Sequence, residues 1–279
     1  DKSIVYGNEP ANDGVEYSGF IGEENASVLG GKLSYSYSYK KLDKVGKYTI
    51  TPSGLTASNY EISFAAGTLT VKKADVSVEA PVAKEKLVYS GKSQELVTAG
   101  KTNFGKLLYS LDGEKYSAEI PAATDAKTYT VYYKVEGSDN WNAFEAKKVE
   151  VKIAKADVSV EAPVAKEKLV YSGKSQELVT AGKTNFGKLL YSLDGEKYSA
   201  EIPAATDAKT YTVYYKVEGS DNWNAFEAKK IEVKIEKTSA IGRMSPRAAR
   251  VTRAVDRSFD LKGRPVRGSS NARGAYYKK

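Results

Sequence analysis

Residues 73–153 recur as residues 155–235, offset by 82 positions, and the two copies differ only at Val149 and Ile231. A near-identical second copy in tandem adds nothing to a catalytic centre. It lengthens a spacer, and it raises the effective concentration of a weak binder. The period also constrains the fold. Solenoid repeats of roughly 20–45 residues bury a face only by stacking on neighbours, whereas a unit of about 80 residues can enclose its own hydrophobic interior. The duplication therefore predicts self-contained beads in series.

Within each copy the text reads as strands. Val76 and Val78 alternate with polar residues, and residues 86–89 precede a turn at Ser90-Gly91. Leu107, Tyr109 and Leu111 are expected on one strand face before Asp112-Gly113, a hairpin signal. A two-residue loop there would set Tyr109 opposite Tyr116. Residues 128–135 place Tyr129, Val131, Tyr133 and Val135 on one face, and residues 148–153 do the same for Val149, Val151 and Ile153. No window has a helical period. The fold class that follows is all-β, with tandem antiparallel β-sandwiches of the immunoglobulin-like kind. The run from Asp125 to Val131 has the spacing of a tyrosine corner, in which the Tyr129 hydroxyl would bond back to the chain, and Asp207 to Val213 repeats it.

Composition narrows the chemistry. The chain has no Cys and no His, which removes disulfides, thiolate sites and the commonest metal ligand and proton-transfer group. No nucleophile–base pair, phosphate loop or metal quartet is visible, so neither an enzyme nor a cofactor is expected. Charge is segregated: residues 237–279 carry 12 Lys+Arg against 2 Asp+Glu, which leaves 31 basic and 33 acidic residues in 1–236. All eight arginines lie in that tail. The arginines have no interleaved aromatics, so nucleic acid is not the expected partner. No apolar run approaches the roughly 20 residues of a membrane span. The only Met is Met244, and the expectation is a fragment whose export signal lies upstream of Asp1.

Five segments are expected: 1–72, 73–154, 155–236, a basic flexible linker at 237–257, and a closing segment at 258–279. The first carries Ile4-Val5-Tyr6-Gly7, Tyr17-Ser18-Gly19-Phe20, Val45-Gly46-Lys47-Tyr48-Thr49-Ile50, Thr51-Pro52-Ser53-Gly54-Leu55, Ser58-Asn59-Tyr60 and Gly67-Thr68-Leu69-Thr70-Val71. In these motifs and their order it resembles the MBG modules of bacterial extracellular and adhesin-like proteins, which implies an exported β-rich module. Residues 23–29 before Gly30-Gly31 read as one short helix with a glycine stop, and a β-grasp arrangement stays open for this unit. The repeat, through Tyr89-Ser90-Gly91, Tyr109-Ser110-Leu111-Asp112-Gly113 and Tyr129-Thr130-Val131-Tyr132-Tyr133, is similar to bacterial Ig-like surface repeats. Phe259, Asp260, Gly263, Arg264, Val266, Gly274 and Tyr276 resemble the closing pattern of type IX secretion sorting domains. That resemblance implies secretion machinery as a partner and passage across a bacterial outer membrane. The joints at Lys72-Lys73 and Ala154-Lys155 lack Gly/Ser or Pro runs, so neighbouring units should be held at limited angles as a semi-rigid rod.

Candidate contact residues are few. Glu136 to Asn142 gathers oxygen ligands that would suit Ca²⁺, but it lacks EF-hand spacing and reads better as a polar turn, so no metal is expected. Trp141 and Trp223 offer flat faces for a pyranose or plug the end of a sandwich, the more frequent role. Tyr35, Tyr37 and Tyr39 form a period-two stripe, either a binding surface or half of a core. The reading is a non-catalytic, monomeric stalk or adhesin segment at the bacterial cell surface or outside the cell. The alternative is a set of modules binding surface glycans or host and substrate glycoproteins by avidity.

Overall fold

The alternation in residues 128–135 and the Val/Ile period that follows build the sheet on which each repeat is organised. The computed structural model describes residues 1–11 and 14–239. In the first repeat four strands lie side by side in the order β6-β7-β8-β5, where β5 is Leu87–Val88, β6 Leu107–Ser110, β7 Thr128–Val135 and β8 Phe144–Ala154. The β6–β7 and β7–β8 pairs are antiparallel, and the register sets Val131 opposite Val149. The edge strand β5 runs parallel to β8, with Leu87 opposite Ile153. A second layer is assembled from two-residue pairings: 78–79 with 101–102, 82–83 with 97–98, and 94–95 with 122–123.

Between the layers, Leu96 and Val97 meet Leu107, Tyr109, Val131, Tyr133, Val135, Val151 and Ile153 in one core, with Tyr129 and Val149 packed against it. The inward stripe of β7 is thus the one its sequence predicts. The second repeat reproduces the wiring with β9 (Leu169–Val170), β10 (Leu189–Ser192), β11 (Thr210–Val217) and β12 (Phe226–Glu236) around Leu178, Val179 and their neighbours.

The N-terminal segment has a different sequence and the same sheet wiring. Its order is β1-β4-β3-β2, with β1 Lys2–Val5, β2 Gly30–Tyr37, β3 Gly46–Thr56 and β4 Gly67–Lys72, and β1 is again parallel to the last strand. Its core is Tyr39, Ile50, Leu69 and Val71, and Tyr35 and Tyr37 pack against it. The period-two tyrosines therefore point into the molecule. The helix expected at 23–29 contracts to a 3-10 turn, Ala26–Val28, capped by the Asn25 side chain accepting from the Ser27 N–H at 3.1 Å. Residues 23–29 contain three Glu and Asn residues but no apolar face wide enough to pack a helix on the sheet. No α-helix occurs among the described residues, and β-grasp packing is not seen.

Two further details depart from expectation. Tyr109 faces Ser117, with mutual backbone hydrogen bonds of 2.7 and 2.9 Å, rather than Tyr116. The turn is widened because the Asp112 carboxylate, not a backbone pair, closes it: Oδ1 accepts from the N–H of Glu114 (2.8 Å) and Lys115 (2.9 Å) and from Ser110 Oγ (2.7 Å). Leu111 consequently leaves the strand face and is 42% exposed. Residues 240–279 lie outside the described residues, and with them Phe259, Asp260, Gly263, Arg264, Val266, Gly274, Tyr276 and most of the 237–257 linker.

Candidate functional site

Two joints with the same construction organise residues 1–236, which form one compact unit with three separate cores. Each begins with the tyrosine that follows the first sheet strand of a unit. Tyr6, just past β1, enters the next unit and sits 5.4 Å from the Phe104 ring and 6.1 Å from the Trp141 ring. Tyr89, just past β5, does the same at 5.4 Å from Phe186 and 6.0 Å from Trp223. The receiving ring pairs are stacked, Phe104 on Trp141 at 5.8 Å and Phe186 on Trp223 at 5.9 Å. Tilted and offset rings at these separations are the favourable arrangement for quadrupoles, and they add to the area buried.

The socket is fixed from within its own unit. The Trp141 indole N–H donates to the Glu136 carbonyl at 3.1 Å. Gly105, at φ +71°, lets the chain pass beneath the indole, and a Cβ there would stand 2.8 Å from Val135 Cγ1 and 3.2 Å from Trp141 Nε1. The incoming chain is laced to the same loop, since the Ala74 N–H donates to the Asn140 carbonyl and the Asn142 N–H to the Ala74 carbonyl, at 3.0 and 2.9 Å.

A polar clamp stands beside each aromatic contact. Asn140 Oδ1 accepts from the Val45 N–H at 3.0 Å, and Asn222 Oδ1 accepts from the Ala126 N–H at 2.7 Å. Asn222 Nδ2 also donates to Asp125 Oδ1 at 3.2 Å. The gripped amide is presented by a tyrosine corner. The Tyr129 hydroxyl donates to the Asp125 carbonyl at 3.0 Å, and burial is the main cause raising its pKa. Tyr211 does the same to Asp207 at 3.0 Å. The first segment holds a third corner, Tyr48 to the Lys44 carbonyl at 2.6 Å, which the sequence reading missed although the same four-residue spacing was there to find.

These contacts account for the residues singled out in the sequence. Trp141 and Trp223 lie in the joints, each between a phenylalanine of its own unit and a tyrosine of the preceding one. Several oxygens of Glu136 to Asn142 are engaged in protein contacts: the Glu136 carbonyl by Trp141, the Ser138 carbonyl by Lys73 Nζ at 2.8 Å, and the Asn140 amide oxygen by Val45. Asn142 Nδ2 donates to Asp75 Oδ1 at 2.8 Å. Among the described residues no group of three or more His, Cys, Asp or Glu side chains is placed to hold a metal ion. The joint residues that sequence reasoning did not pick out as contacts are Tyr6, Tyr89, Phe104 and Phe186, while Asn140 stands in the loop read as a polar turn and Asn222 in its copy.

Residues 1–70 match the model of the MBG domain, YGX type. No curated protein matches the chain. Among solved structures, the fibronectin(III)-like modules of Clostridium thermocellum CbhA align at 16% identity over 58% of this chain and 94% of that one, with a TM-score of 0.23. Drosophila N-cadherin EC1-3 aligns at 10% identity over 78% of this chain and 92% of that one, with a TM-score of 0.25. The all-β fold rests on the strands themselves. No helix among the described residues is long and apolar enough to cross a membrane. The N-terminal segment is the part of the chain that is similar to an MBG module.

Proposed function

We propose that the chain is a non-catalytic extracellular spacer of a bacterial surface or secreted protein, in which the number of repeats sets how far a neighbouring domain is held from the cell. The observation that carries this reading is the repeated joint. Tyr6 in Phe104–Trp141 and Tyr89 in Phe186–Trp223 are built alike, although the first unit shares neither sequence nor length with the repeats. A binding module needs a conserved outer face. A spacer needs a reproducible angle between units, and the aromatic and polar contacts here are spent on that. The match of residues 1–70 to the MBG domain supports the extracellular setting. Placement of Trp141 and Trp223 inside the joints leaves their rings to Phe and Tyr partners, which weighs against glycan platforms at those two positions.

Excision of residues 73–154 joins Lys72 directly to Lys155 and regenerates the native joint sequence, so the shortened chain keeps its fold. On the producing cell, an epitope at the N-terminus should lose antibody accessibility when one repeat is removed and gain it when a third is added. Accessibility that ignores repeat number overturns the spacer reading.

A further inference from the structure

The N-terminal unit carries its own version of the socket, at the end away from the two joints' tyrosines. Because β1-β4-β3-β2 and β5-β8-β7-β6 have the same wiring, the connection between β3 and β4 corresponds to that between β7 and β8. The latter bears Asn140-Trp141, and the former bears Asn59-Tyr60. The chain leading into β6 bears Phe104, and the chain leading into β2 bears Phe20. Phe20 and Tyr60 meet with ring centroids 5.6 Å apart, edge to face, and Tyr17 lies 6.4 Å from Phe20. The Tyr60 hydroxyl is held by the Glu24 carboxylate and accepts from the Ile21 N–H at 3.2 Å, so the ring is anchored from its own unit as Trp141 is. The apolar cluster is open to solvent, Tyr17 being 43% and Ile21 76% exposed, and Asn59 is exposed beside it.

We infer that Phe20, Tyr60 and Asn59 form a docking socket for a β-module joined ahead of this one, which would insert the tyrosine that follows its first sheet strand and offer the backbone amide at its tyrosine corner to the Asn59 side chain. The argument is continuity with two established interfaces in the same molecule, where an aromatic pair and an asparagine on the same two connections receive such a tyrosine and such an amide. A second copy of the chain is the weaker occupant. The observed joints bury a few side chains each, and they close because a short covalent link supplies the effective concentration. Support for the socket comes from the joint geometry and is independent of any spacer role.

The test extends the full chain at its N-terminus with another copy of residues 155–236, connected through a copy of residues 73–83 so that the segment ahead of β1 matches the one ahead of β5. Spin-label pairs across the new junction should give a distance distribution as narrow as pairs across the native joint between the repeats. Tyr171→Ala in the added copy, which cannot unfold the N-terminal unit, should broaden it, and so should Asn59→Ala. Phe20→Ala should do the same while a label pair within residues 1–72 stays unchanged. A distribution that is broad from the start, or narrow and insensitive to all three substitutions, overturns the inference. Self-association of the native chain in sedimentation that Asn59→Ala abolishes would also overturn it, by making a second copy the occupant.

Discussion

The Ser110–Asp112 turn shows how one side chain can replace a stretch of backbone pairing. Asp112 Oδ1 gathers two N–H donors and a hydroxyl, and Asp194 repeats the pattern with the N–H groups of Glu196 (2.8 Å) and Lys197 (2.9 Å) and with Ser192 Oγ (2.7 Å). Donors aimed at the charged form favour it. The Lys115 amide first, then the Ser110 hydroxyl and the Glu114 amide, lower the Asp112 pKa from 3.8 to about 2, and the equivalent groups do the same for Asp194. The sign follows from linkage. A group whose pKa is depressed on folding leaves the unfolded chain binding more protons in the window between the two values, so its stabilisation is complete above the unfolded value and is lost as pH falls through the folded one. Melting temperature should therefore decline from near pH 4 toward pH 2, and part of that decline should vanish in the Asp112→Asn, Asp194→Asn double variant. Asparagine keeps the Oδ1 acceptor and removes the titration. Thermal melts at half-unit pH steps check this, and an unaltered slope in the double variant rules it out.

At the scale of the element, the two layers of each repeat contribute unequally to what can be read from the chain. The eight-residue strand β7 alternates long enough for its period to be unmistakable, and its buried side chains, Val131, Tyr133 and Val135, are those the pattern names. Of the facing layer only the Val76 and Val78 alternation is legible, because its strands are two residues long and too short to carry a period. Leu96 shows the consequence. It lies between two short strands, is completely buried, and nothing in its local sequence marks it as more than a loop residue. Cavity formation should make Leu96→Ala cost about 2–5 kcal/mol, as for other buried Leu→Ala changes. Because Leu178 occupies the same place in a separate core, Leu178→Ala should cost the same, and the double variant should show the two costs as additive. Denaturant unfolding of the single and double variants measures both. The joints were illegible for another reason: Ala126 and Asn222 meet across 96 residues of sequence, and neither belongs to a pattern that names the other. The tyrosine corner and the two tryptophans, each local in sequence, mark the place without naming what meets there.

At the scale of the whole molecule, the two joints differ in the charge of the residue just ahead of the clamped amide, and that difference predicts how each responds to the same substitution. In the joint between the repeats, Asn222 uses both ends of its amide, accepting from the Ala126 N–H and donating to the Asp125 carboxylate. In the joint to the N-terminal unit, Asn140 accepts from the Val45 N–H, and the residue ahead of Val45 is Lys44 where the repeat has Asp125. Replacement of either asparagine by aspartate keeps the acceptor oxygen and exchanges the amide donor for a second charged oxygen. Asn222→Asp then sets two carboxylates against each other at a separation of about 3 Å, whereas Asn140→Asp brings a carboxylate toward a lysine-bearing turn. Both sites are near the surface, so each effect amounts to roughly 1 kcal/mol or less and is screened by salt. That is nevertheless enough to shift a joint held by three rings and a clamp. Spin-label distances across the inter-repeat joint should broaden in Asn222→Asp at low ionic strength and narrow again near 1 M salt, while those across the first joint in Asn140→Asp stay narrow throughout. Equal broadening of the two would mean that the aspartate is felt through the lost donor rather than through its charge, and the electrostatic distinction between the joints would fall.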